Sequence, residues 1–88
     1  MVIGKVVSRV ISTRKYDTLQ GYKLLVIEPF NGENKEWFVA ADTIGAGEGE
    51  LVLVSFGSAV QHALPQHAPI DAIVVGIVDQ EPNIQIKE

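Results

Sequence analysis

Between Ala40 and Phe56 the chain reads AADTIGAGEGELVLVSF, and three glycines spaced two apart, Gly45, Gly47 and Gly49, separate one apolar run from the next. Glycine reaches positive φ without a Cβ penalty and lets another backbone approach closely. A strand must therefore end before this stretch and another begin after it, joined by a compact corner or a packed intersubunit loop. The loop does not read as a phosphate cradle. A dinucleotide loop spells GxGxxG and opens a helix, whereas here GxGxG leads into Leu51, Val52, Leu53 and Val54, a β-type run. Glu48 and Glu50 would repel an anion, and no Lys or Arg lies between Glu36 and Phe56.

The remaining sequence divides into strands around this corner. Val2 to Thr13 is rich in β-branched residues, with Val6 and Val10 on one face and Val7 and Ile11 on the other. Asp17 and Gly21 mark a turn with Leu19 as an inward anchor, and Tyr22 to Glu28 forms a second strand closed by Pro29. Asn31-Gly32 is the strongest hairpin signal in the chain. Glu36 to Ala41 is the third strand, with Trp37 and Val39 opposite Phe38 and Ala40, and Glu50 to Phe56 is the fourth. Gly57 ends it, Ser58 is placed to cap a single helical turn over Ala59 to Leu64, and Pro65 stops that turn. Asp71 to Asp79 is the fifth strand, and Ile84 to Ile86 could pair weakly beyond it. The reading is a single all-β domain over residues 1–88, a small five-stranded OB-like β-barrel with one short helix. No helix is long enough to serve as a crossover between parallel strands.

Eighty-eight residues bury only about two-thirds of the unfolded surface, which leaves a marginal core. The chain has no cysteine, so disulfides, Cys-ligated zinc and thiol chemistry are excluded. Yet 47% of the residues are hydrophobic, and several strands are apolar on both faces although a barrel interior takes only alternate residues. The outward set calls for a cover, and association with other chains is the expected one. A net charge of −4 with few aromatic residues speaks against a nucleic-acid partner. No apolar run approaches about twenty residues, and MVIGKVV lacks a signal-peptide layout, so the expectation is no membrane partner and a cytoplasmic location.

No constellation for catalysis emerges. His62 and His67 are the only histidines, with prolines nearby and no third ligand, so no metal site is expected. Asp71 and Asp79 would stand about 26 Å apart on an extended strand and cannot form a catalytic pair. Ser12, Ser55 and Ser58 have no neighbouring His with an orienting acid. Asp42, at the head of the glycine loop, is expected to bond its own backbone two residues on. Neither an enzyme nor a cofactor is implied.

Taken together, GKVVSRVISTRK from Gly4 to Lys15, LQGYKLLVI from Leu19 to Ile27, ADTIGAGEGELVL from Ala41 to Leu53, GSA from Gly57 to Ala59 and IDAIVVGIVD from Ile70 to Asp79 resemble the EutN/CcmL family of bacterial microcompartment shell vertex proteins. The resemblance spans nearly the whole chain, and the combination of segments is far more specific than any one of them. It implies a small β-barrel assembling as a cyclic homopentamer that closes the corners of a polyhedral shell, beside hexameric shell proteins and without catalysis. Asp42, Gly45, Ala46, Gly47, Gly49, Gly57 and Ser58 are then the expected subunit or shell interface, with a side chain excluded at Gly47 by positive φ or by a neighbouring chain. Where many relatives carry Gly-Thr this chain has Ser8 and Arg9, and where they carry an arginine it has Gln61. Any docking that used that arginine must rest on other contacts here. The alternative function is an OB-type binding module for nucleic acid or another ligand, which tight, salt-sensitive retention of single-stranded oligonucleotides would reveal.

Overall fold

The computed structural model describes residues 1–11, 15–19, 21–30, 36–58, 60–64 and 68–79. β1 (Val2–Arg9), β2 (Lys23–Pro29), β3 (Phe38–Asp42), β4 (Leu51–Phe56) and β5 (Ala72–Val78) close into a barrel in the order β1-β2-β3-β5-β4. One helical turn, α1 (Val60–Ala63), and a 3₁₀ turn over Asp17–Leu19 complete the described secondary structure. The expected Asn31-Gly32 turn, His67 and the Ile84 to Ile86 segment lie outside the described residues.

Each strand follows from its β-branched and aliphatic content, which suits a pleated, half-buried surface. β1 pairs antiparallel with β2 on one edge and β4 on the other, and its register with β2 shifts between Val6 and Ser8. A second shift falls between Leu53 and Val54 where β4 meets β5. Such irregularities bend a strand and sharpen its twist, which a barrel of five strands needs in order to close. Four of the five pairings are antiparallel, but β3 runs parallel to β5, through Ala41↔Ile73 and Asp42↔Val74. The absence of a long helix did not forbid this, because β4 itself carries the chain back before α1 and the following loop deliver it to β5.

Two apolar clusters hold the fold. Val6, Leu25, Ile27, Ala40, Val52, Val54, Ala72 and Val74 fill the barrel, joined by Ala46 from the glycine loop. Outside the sheet, Ala41 and Ile73 pack with Val60 and Leu64 of the helical segment and with Ala68 and Ile70, and Leu19, Tyr22 and Leu24 lean on them. Part of the outward apolar set is therefore covered by the chain itself. The segment around Ala68 and Ile70, which reads as irregular surface in the sequence, is the cover.

Gly4 explains one tight crossing that the sequence reading did not single out. A Cβ there would collide with the Ile27 side chain and stand 3.1 Å from the Glu28 carbonyl oxygen. β1 can approach β2 this closely only with hydrogen at that position.

Candidate assembly interface

The glycine loop is built on one buried carboxylate. Asp42 ends β3 opposite Lys23 of β2, and its side chain is fully shielded from solvent. Its Oδ1 accepts the N–H of Ile44 at 3.0 Å and of Gly45 at 3.2 Å, while Oδ2 accepts those of Gly45 at 3.2 Å and Ala46 at 2.8 Å. The Lys23 ammonium lies 3.4 Å from Oδ2 and also donates to the Ala46 carbonyl. Burial pushes the Asp42 carboxyl up, but the three backbone donors and Lys23 outweigh it and hold the group below its ordinary value. The expected aspartate turn is present, and it extends two residues further than the simple local bond.

Gly45, at φ +108°, reverses the chain inside this nest. Ile44 is thrown outward, 49% exposed, and Ala46 is driven fully into the barrel. Gly49, at φ +86°, turns the loop back, and its N–H donates to the Val6 carbonyl while Val6 donates to that of Glu50. Gly47 does not adopt positive φ, so that expected reason for a glycine there is corrected. Its N–H instead donates to Glu50 Oε1 at 2.6 Å, and an added Cβ would meet that oxygen at an ordinary 3.4 Å. Glu50 thus caps the loop, a role that its position as a strand-initiating charge did not announce.

Gly57 and Ser58 sit elsewhere. They follow β4, whose six residues span about 20 Å, whereas the glycine loop precedes it. The seven expected interface residues therefore form two groups at opposite ends of one strand. Gly57 takes φ +96° and donates to the Asp71 carbonyl, and its own carbonyl accepts the Val60 N–H at the entry to α1. Exposed Ser58 accepts the Gln61 N–H through its carbonyl.

Gln61 is a functional residue of the fold that no local signal marked. Its Nε2 donates to the carbonyls of Ala68 at 2.7 Å and Ile70 at 2.8 Å, and its Oε1 accepts the Ala68 N–H at 3.2 Å. The amide ties α1 to the segment that covers Ala41 and Ile73.

Large apolar side chains remain exposed. Trp37 and Val39 on the β3 side are 54% and 48% exposed, and Ile44, Phe56 and Val75 are exposed as well. Trp37 is fixed by a 3.0 Å bond from its indole N–H to Glu28, and Phe56 by a tilted ring contact with Phe38 at 5.0 Å between centroids. Val39 also borders a groove of about 200 Å³ with Leu19, Leu24, Pro69 and Ile70. These side chains carry no ligand chemistry among them. Among the described residues no three His, Cys, Asp or Glu side chains gather as a metal site.

Residues 1–79 match the family described as ethanolamine utilisation protein EutN/carboxysome. The carboxysome shell vertex protein CcmL of Thermosynechococcus vestitus is 50% identical over 84 residues, which cover 90% of this chain and 84% of that one. The bacterial microcompartment shell vertex protein GrpN of Rhodospirillum rubrum is 45% identical, over 90% of this chain and 93% of its own. The solved structure of that GrpN, described as a pentameric microcompartment shell protein, superposes with a TM-score of 0.81 at 42% identity, covering 96% of this chain and all of the other. Agreement of this extent in both sequence and barrel topology leaves one conclusion, that the chain belongs to the EutN/CcmL family of bacterial microcompartment shell vertex proteins.

Proposed function

We propose that the chain, acting as one domain, assembles as a homopentamer that seats among hexameric shell proteins and closes the corners of a polyhedral shell. The family is structural rather than enzymatic, and its members are components of the microcompartment shell, an organelle of the bacterial cytoplasm. The observation that supports the pentamer reading for this chain is the set of large apolar side chains left exposed, among them Trp37, Val39, Ile44 and Val75, beyond the part of the outer wall that the chain covers itself. A ring needs two different complementary patches on each subunit, because its contacts are head-to-tail and close by rotation. A barrel that leaves apolar side chains exposed on β3, on β5 and in the glycine loop can supply two such patches.

Within the expected interface, Asp42 and Ala46 are buried inside their own chain, so their part is to shape the loop rather than to touch a neighbour. The exposed residues of the set, Gly45, Gly49, Gly57 and Ser58, with half-buried Gly47 and outward Ile44, are left for contact. Coexpression with hexameric shell proteins, followed by electron microscopy, tests the vertex role. Closed polyhedra are expected with the intact chain, and elongated or open shells when it is omitted. Equally closed shells in its absence would refute the role.

A further inference from the structure

A second surface feature has no part in the assembly account. Where β1 ends and β2 begins, Arg9, Lys15, Tyr22 and Lys23 line a polar groove of about 180 Å³. Only four Lys or Arg side chains fall within the described residues, and three of them line this one groove. Among the described residues no carboxylate lines it, although the chain carries eleven acidic residues against seven basic ones. Among the described residues the one Lys or Arg paired with a carboxylate is Lys23, whose partner Asp42 is buried while the Lys23 side chain stays 32% exposed.

Arg9 and Lys15 are the two cations of the groove with no carboxylate partner among the described residues, and a bound anion supplies the counter-charge that they lack. The groove is equivalent to roughly six waters at about 30 Å³ each, enough for one compact anion and too little for a run of stacked bases. Arg9 supplies a planar fork suited to two oxygens of one group and Lys15 a point charge, while Lys23, already paired with Asp42, lines the wall beside them. We propose that this groove is a binding site for a small multivalent oxyanion of the phosphate or dicarboxylate class. The site is carried by each chain and lies apart from the glycine loop's own hydrogen bonds, with Lys23 as the one shared residue.

Titration calorimetry of the full chain in its native assembly, with inorganic phosphate at ionic strength held constant by sodium chloride, tests this directly. One saturable site per chain is expected. Arg9→Gln and Lys15→Gln should each raise Kd by about tenfold, as loss of a charge-assisted hydrogen bond does. Lys5→Gln removes the same unit of charge outside the groove and should leave Kd unchanged, and circular dichroism checks that all three variants fold. A parallel titration with malonate separates a dicarboxylate preference from a phosphate preference, and saturable binding of either supports the site. Heats that do not saturate, or an equal loss in Lys5→Gln, would overturn the proposal. So would dissociation of the assembly by phosphate over the same range, which would assign the groove to a contact between chains.

Discussion

Asp42 and Gln61 each gather backbone groups from a neighbouring stretch, but Asp42 does so within four residues as an anion, whereas Gln61 reaches Ala68 and Ile70, seven and nine residues on, as a neutral amide. Asp42 fixes the corner between β3 and β4, and Gln61 fixes the cover over the outer face of β3 and β5. One shapes surface that is left exposed, while the other hides surface that would be exposed. The difference is that a local acidic staple couples the loop to proton activity, and a non-local amide staple does not.

The largest test of that contrast is Asp42→Ala. It leaves the buried Ala46 N–H without its acceptor and Lys23 without its counter-charge, and it should cost on the order of 3 kcal/mol in denaturant unfolding. A loss below about 1 kcal/mol would show that water or backbone shifts replace the carboxylate. Its pH dependence sharpens the comparison. Because the folded-state pKa of Asp42 is depressed below 3.8, its contribution is fully present above that ordinary value and is lost as pH falls through the lower folded value. The stability gap between the intact chain and Asp42→Ala should therefore shrink as the pH is lowered past 3.8.

Gln61→Ala comes next, at about 2 kcal/mol, since two carbonyls and one N–H lose their partner while part of the site can admit water. Its gap from the intact chain should stay flat over the acid range. A gap that narrows with Asp42's would join the two staples into one cooperative unit. Gly45→Ala should cost roughly 1–2 kcal/mol because φ +108° strains any L side chain. Gly47→Ala should fall within about 0.5 kcal/mol, given ordinary backbone and a 3.4 Å neighbour. Equal effects at the two glycines, read from thermal melts, would mean that a neighbouring chain rather than backbone conformation limits position 47.

The same distinction between local and distant causes explains what the sequence revealed. Five strands and a helical turn were legible because β-branched runs and Gly or Pro punctuation act over a few residues. The Asp42 turn was legible for the same reason. The parallel β3–β5 closure rests on only Ala41↔Ile73 and Asp42↔Val74, thirty-odd residues apart in the chain, and leaves no periodic trace. Gly4 is required by Ile27 and Glu28 on the facing strand, and Gln61 by the carbonyls of Ala68 and Ile70, seven and nine residues on, so neither need shows in its own surroundings. The two-apart spacing of Gly45, Gly47 and Gly49 marked the corner correctly but not which glycine carries the strain. That is decided by the hydrogen bonds to Asp42 and Val6.

Native mass spectrometry of the purified chain tests the central claim, that the apolar side chains the barrel leaves exposed serve ring closure. Contacts near the roughly 800 Å² per partner of a specific interface should hold a single species at five times the chain mass at micromolar concentration. A stable monomer or dimer under those conditions would contradict the account.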